Sequence, residues 1–201
     1  MGAEDAGELL PPASLPRRMP GETGIWVLVA GDLAVFSIFF IVLLVQRSSD
    51  TALFVASQRS LNQIIGALNT FLMLTSSLFV ALGVGSIRSG SLARRRAPYF
   101  IATAAVLGLG FVLVKAYEWS ERFSVGQTVG TNDYFMFYFM YTGIHLVHVV
   151  VGLIVLALLF MVSRRPSLDQ GAVLLIESGG IFWHLVDLLW IILFALFYLV
   201  T

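Results

Sequence analysis

The sequence lacks cysteine and has little charge. Its 201 residues include no cysteine, 12 lysines and arginines, and 12 aspartates and glutamates, so the formal net charge is zero. Without cysteine the chain has no disulfide, thiolate metal site, iron–sulfur cluster or thiol nucleophile. The balanced charge provides no overall field that would attract nucleic acid or a strongly acidic partner. Any electrostatic role must therefore come from local groups of charges.

Apolar residues make up most of the chain. They account for 58% of it, and the mean hydropathy of +0.90 exceeds that of soluble domains. Five stretches reach the length of about 20 apolar residues that a helix needs to cross a bilayer. They cover residues 24–46, 63–87, 97–119, 134–162 and 177–200. The pattern predicts an all-α polytopic membrane protein, a bundle of five transmembrane helices.

Residues 1–23 form a polar segment that contains four of the six prolines. This segment lacks the apolar core of a cleavable signal peptide, so we expect a polar N-terminal tail followed by an uncleaved first span. The links between the later spans are polar and too short to hold a second domain. Residues 24–201 are therefore predicted to form one membrane domain.

Arginines are distributed unevenly between the two sides of the predicted topology. One side contains Arg17, Arg18, Arg88, Arg94, Arg95, Arg96, Arg164 and Arg165, whereas the other contains Arg47, Arg59 and Arg122. Basic residues in short loops favour the cytoplasmic side, so the N-terminus is predicted to be cytoplasmic and the C-terminus outside. The run from Arg94 to Arg96 also favours contact with lipid headgroups. Trp119, Tyr134 and Tyr198 lie near predicted span ends, where amphipathic rings prefer the membrane interface.

A few ionisable side chains lie inside or at the ends of the predicted spans, where such groups are costly unless they face protein, water or a partner. They are Asp32, Lys115, Glu118, His145, His148, Glu177, His184 and Asp187. Spacings of three and four residues give the third, fourth and fifth spans one polar face each. Polar faces avoid lipid, so we expect them to meet inside the bundle. The predicted buried polar cluster comprises Glu118, His145, His148, Glu177, His184 and Asp187.

Two motifs on these helices resemble subunit III of the haem-copper oxidase superfamily. The run from Gly143 to Gly152 is similar to the family signature GxHxxHVxxG, and the run from Glu177 to Trp190 is similar to ExxxxxWHxVDxxW. Leu68-Asn69-Thr70 and Glu118-Trp119 agree with the family in the earlier spans. The resemblance covers nearly the whole chain after residue 21. It is closest to the five-helix form, which lacks the first two helices of the seven-helix form.

The resemblance implies a cofactor-free accessory subunit in the inner (cytoplasmic) membrane of a bacterium. Such a subunit packs against the haem-copper catalytic subunit, stabilises it, supports its proton uptake and holds lipids between its helices. Haem and copper are then expected on that partner, and electrons pass there from cytochrome c or quinol to oxygen. Asp32 stands where the family carries a membrane-embedded carboxylate. It is either a structural hydrogen-bonding group or a proton-binding carboxylate.

Two other interpretations are open. The strings at residues 20–26 and 131–136 resemble the subunit-III-like protein that accompanies bacterial nitric oxide reductase, which would make that enzyme's catalytic subunit the partner. The chain could also be an independent intramembrane metalloenzyme, in which His145, His148 and His184 bind a metal with a carboxylate. In the accessory-subunit interpretations the same histidines hold neighbouring helices in register through hydrogen bonds.

Overall fold

A computed structural model describes residues 19–89 and 94–200. Residues 1–18 of the predicted tail, residues 90–93 and Thr201 lie outside the described residues. The described chain contains six α-helices, followed by a π-helical turn at Ala195–Leu199. The helices are α1 (Thr23–Ser49), α2 (Thr51–Gln58), α3 (Gln63–Arg88), α4 (Ala97–Ser124), α5 (Asp133–Ser163) and α6 (Gln170–Phe194).

Five of these helices are long and apolar enough to cross a membrane: α1, α3, α4, α5, and α6 together with the π-helical turn. The prediction of an all-α membrane bundle with five spans is therefore confirmed. The short helix α2 was not predicted. It begins where the Asp50 side chain accepts a hydrogen bond from the Leu53 amide, and it buries Phe54 against the ring of Tyr134.

Polar side chains set where several helices begin. Asn62, Asn132 and Asp169 each accept a hydrogen bond from a backbone amide in the first turn of α3, α5 and α6. Such caps satisfy amides that have no partner within the helix. The cap at Asp169 explains why α6 begins at Gln170, earlier than the predicted start of the fifth span at residue 177. The predicted span left out the apolar residues 172–176, which belong to the same helix.

Helices α3, α4, α5 and α6 form the core of the bundle, and α1 lies outside it against α5 and α6. Helix α1 buries only Phe36 and Leu43, whereas α6 buries about half of its residues. The first span is therefore the most exposed of the five, and much of its apolar surface is left to lipid or to another protein.

Trp183 of α6 occupies the centre of this core and is completely buried. A Cβ atom added to Gly108 of α4 or to Gly152 of α5 would lie 2.7 Å from a carbon of its ring. The indole N–H donates to Ser76 Oγ of α3 at 3.1 Å, and Ser76 Oγ in turn donates to the Ala104 carbonyl at 2.8 Å. One side chain therefore joins all four core helices.

Replacing one of the two glycines that face the Trp183 ring tests how tightly the ring is packed. We expect Gly152→Ala to lower the free energy of unfolding by about 1–3 kcal/mol, because the ring is enclosed and cannot move away from the added methyl group. Gly85→Ala is the matched control, since a Cβ there would have no atom within 4 Å. Thermal unfolding in detergent micelles provides the measurement. Equal melting temperatures for the two variants would show that the ring is not tightly held.

Candidate functional site

A lysine and a glutamate form an ion pair inside the bundle. Lys115 and Glu118 lie one turn apart on α4, and each side chain is 1% exposed. Lys115 Nζ donates to Glu118 Oε2 at 2.8 Å and to the Tyr198 hydroxyl at 2.9 Å. The Tyr198 hydroxyl donates to Glu118 Oε1 at 2.5 Å, and the lysine ammonium lies 4.7 Å from the Trp190 ring centroid. Both charges are thus neutralised and hydrogen-bonded within this chain.

His145 of α5 lies beside this ion pair but does not join it by a hydrogen bond. Its ring is completely buried, with the Phe111 ring at 5.7 Å and the Trp190 ring at 5.4 Å between centroids. Neither ring nitrogen has a hydrogen-bond partner among the described residues. The imidazole therefore acts here as a packing group between α4 and α6.

Asp32 of α1 faces His148 of α5, with 3.5 Å between Oδ2 and Nε2. The other ring nitrogen, Nδ1, lies 2.9 Å from the Ile144 carbonyl oxygen. A carbonyl only accepts hydrogen bonds, so Nδ1 carries a hydrogen and Nε2 is the atom that meets the carboxylate. The side chains are 22% and 27% exposed, so this Asp32–His148 pair reaches the bundle surface.

Glu177 of α6 fastens two other segments. Its Oε2 accepts from the Gly21 amide at 2.7 Å, and its Oε1 accepts from Arg88 Nε, at the end of α3, at 3.0 Å. Gly21 has φ +77, a backbone conformation that favours glycine. The carboxylate thereby holds the turn before α1 against α3 and α6.

His184 and Asp187 follow on the same face of α6. His184 Nδ1 lies 2.6 Å from Ser77 Oγ of α3, while much of the imidazole is exposed on the bundle surface. Asp187 is 7% exposed, and its Oδ1 atom has no hydrogen-bond partner among the described residues. This end of the polar face therefore has unused hydrogen-bonding capacity.

The six residues of the predicted polar cluster thus occupy separate places. Glu118 pairs with Lys115, His148 meets Asp32 and Glu177 binds Arg88, so three carboxylates have three different partners. The polar face of α6 lies against α3 instead of α5. Apolar groups fill the contact between α5 and α6, where Trp183 and Leu159 pack against glycines. Within the described residues, no three histidine, aspartate or glutamate side chains come together as a metal site would require.

Several residues of these groups were not identified from the sequence. Arg88 was counted only as a loop charge, although it lies at the same end of the bundle as Glu177 and is the nearest complementary group. Tyr198 was expected at the membrane interface, whereas it is completely buried and bonded to Glu118. Ser77 and Gly21 belong to no charged pattern, and the sequence contains no signal that would have selected them.

Breaking the buried ion pair should destabilise the isolated chain. We expect Glu118→Leu to lower the free energy of unfolding by about 3–5 kcal/mol, because it leaves the Lys115 ammonium buried without its counter-ion. The double variant Lys115→Leu/Glu118→Leu should recover much of that loss, since no charge is then stranded. Denaturant or thermal unfolding in detergent micelles compares the stabilities of the single and the double variant. A double variant as unstable as the single one would contradict the pairing.

Comparison with known proteins gives the family of this bundle. Residues 30–201 match the sequence profile described as cytochrome c oxidase subunit III. The protein "Cytochrome bo(3) ubiquinol oxidase subunit 3" of Buchnera aphidicola is 27% identical over 179 residues, which cover 88% of this chain and 84% of that protein. "Cytochrome c oxidase subunit 3" of Synechocystis is 28% identical over 177 residues, with 88% and 74% covered.

A third relative is a longer protein. "Heme-copper oxidase subunit I+III" of Aeropyrum pernix is 26% identical over 189 residues, which cover 89% of this chain but only 22% of that protein. The profile matches most of the chain, and the five membrane-crossing helices agree with it. The chain belongs to the cytochrome c oxidase subunit III family.

Proposed function

We propose that this chain is a cofactor-free accessory subunit of a haem-copper terminal oxidase in the cytoplasmic membrane of a bacterium. The observation that carries the proposal is the family match over residues 30–201. The chain would stabilise the catalytic subunit and support its proton uptake, while haem, copper and oxygen reduction belong to that partner. The N-terminus would be cytoplasmic, because the end of the bundle with Arg88, Arg94 and Arg164 is the more basic one.

The relatives support a catalytic subunit as the partner. The Aeropyrum pernix protein bears the name of subunits I and III together, so a sequence similar to this chain exists there within one polypeptide with subunit I. The relatives from Buchnera and Synechocystis are named for a ubiquinol oxidase and a cytochrome c oxidase. Ubiquinol and cytochrome c are therefore both compatible with the family as electron donors.

The Asp32–His148 pair supports the proton-related part of the proposal. Because Nδ1 of the histidine faces a backbone carbonyl, Nε2 is the nitrogen that faces the Asp32 carboxylate, at 3.5 Å. Both side chains are partly exposed, so a proton taken up by this pair would exchange with groups outside the chain. A proton-binding carboxylate inside a span needs this combination of a partner and an opening to the surface.

A basic recess supports contact with anionic lipids. It has a volume of about 830 Å³ at the arginine-rich end of the bundle, and Arg94, Arg95, Arg164 and Arg165 converge on it from the start of α4 and the end of α5. Among the described residues none of these arginines forms an ion pair. Guanidinium groups bind phosphate well, and the recess lies at the ends of two spans, at the level of lipid headgroups.

Purification of the tagged chain from native membranes tests the partner. We expect a haem-bearing chain to co-elute, visible as a reduced-minus-oxidised absorption spectrum, and the complex to reduce oxygen. Nitric oxide reduction by the same complex would instead identify the reductase-associated branch. Recovery of the chain alone, or stoichiometric metal in the chain that is lost in His148→Ala, would overturn the accessory-subunit proposal.

The proton-related role is tested by Asp32→Asn in the assembled complex. Asparagine has nearly the same shape and still hydrogen-bonds, but it cannot take up a proton. We expect normal assembly, with fewer protons pumped per electron and faster loss of activity during sustained turnover in proteoliposomes. Asp133→Asn, which removes the same charge at the start of α5, should leave both quantities unchanged. Unaltered pumping and lifetime in Asp32→Asn would make Asp32 a structural residue.

A further inference from the structure

The basic recess between α4 and α5 has two walls, each with two arginines. Arg94 and Arg95 stand just before α4, and Arg164 and Arg165 stand just after α5. Arg94 Nη2 donates to the Arg165 carbonyl at 2.5 Å, and this bond holds the two walls together. A guanidinium has several N–H donors, so Arg94 keeps others that can bind a ligand.

An aromatic ring orients the second wall. The Arg164 guanidinium carbon lies over the Phe160 ring, 5.4 Å from its centroid. Stacking on a ring uses the flat face of a guanidinium, whereas its N–H groups lie in the plane and stay available for hydrogen bonds. A bidentate bond to phosphate needs this planar set of donors. Arg164 is therefore oriented before a ligand arrives.

The four charges of the recess are not balanced by carboxylates in the part of the chain that the structure describes. The side chains that line the recess include no acid. Asp169 and Glu177, at the same end of the bundle, are bonded to the Ala172 amide and to Arg88. A ligand with one negative charge would leave three of the four guanidinium charges unbalanced. Because like charges held close together repel, the recess favours a ligand with at least two negative charges.

The size and the depth of the recess narrow the ligand further. Its volume of about 830 Å³ lies within the range of sites for whole small molecules, about 300–1,000 Å³, and is larger than one phosphate group needs. Tyr99, which lines the recess, is 75% exposed, and tyrosine rings prefer the membrane interface. At that depth the anionic group of lipid headgroups is phosphate.

We propose that the basic recess binds a ligand with two phosphate groups, one at Arg94 and Arg95 and the other at Arg164 and Arg165. A lipid whose headgroup carries two phosphates and a soluble diphosphate share this chemistry. The inference rests on the lipid contact of the proposed function and adds the number of phosphates. It needs no haem-bearing partner, so its failure and the failure of the accessory role are separate results.

Titration of the full chain in neutral detergent micelles tests the number of phosphates. The probes are cardiolipin with two phosphates, phosphatidylglycerol with one, and soluble pyrophosphate, and native mass spectrometry counts the bound molecules. We expect one cardiolipin per chain, bound about tenfold more tightly than phosphatidylglycerol, because the second phosphate engages two further arginines. Displacement of cardiolipin by an equal concentration of pyrophosphate would assign the site to a soluble ligand, and retention of cardiolipin would assign it to a lipid.

Loss of one wall should remove the preference for two phosphates. We expect Arg164→Gln/Arg165→Gln to bind cardiolipin only about as tightly as phosphatidylglycerol, because one pair of arginines is left for either lipid. Arg95→Gln alone should weaken cardiolipin binding about fivefold, the effect of one arginine near the membrane surface. Arg59→Gln is the matched control, since it removes an exposed arginine from the opposite end of the bundle and should change neither affinity.

Two outcomes would overturn the inference. Equal affinities of the unaltered chain for the two lipids would show that the recess responds to charge alone. A cardiolipin preference that survives in Arg164→Gln/Arg165→Gln, with an unchanged melting temperature in the absence of lipid, would trace the preference to the acyl chains or to another site. In both cases a haem-bearing chain still copurifies and the proposed function stands. Recovery of the chain alone would instead remove the accessory role and leave the lipid affinities as measured.

Discussion

The close approach of four helices around one tryptophan is the constraint on which the bundle depends. Trp183 fits between Gly108 and Gly152, so α4, α5 and α6 can meet only where two side chains are missing. Its indole N–H is bonded to Ser76, which fixes α3 as well. Lipid is as apolar as a leucine side chain, so association in a membrane depends on such packing and on hydrogen bonds.

The ionisable groups divide into those whose charges are balanced within the chain and those that are not. Lys115 and Glu118 are buried together with two tyrosine hydroxyls nearby, which makes them part of the chain's own architecture. Asp32 is partly exposed and lies 3.5 Å from His148, and Asp187 Oδ1 has no hydrogen-bond partner among the described residues.

Hydropathy and motif spacing were sufficient to predict the five spans and the family, since both depend on residues along one helix. They could not predict which helices face each other. Glu177 and His184 share a face of α6, but that face meets α3, where Arg88 and Ser77 are their partners. The position predicted for Tyr198 is wrong for a related reason. A π-helical turn directs its ring into the core, and local sequence contains no sign of that turn.

The bond between Glu177 and the Gly21 amide joins the first membrane helix to the last. During synthesis α1 leaves the ribosome before α6, so this bond forms only once α6 is present. The middle and the end of α1 are bonded to α5 instead, where the Tyr141 hydroxyl donates to the Phe39 carbonyl and Gln46 donates to Asp133. The first turn of α1 thus depends on a later helix than the rest of α1 does.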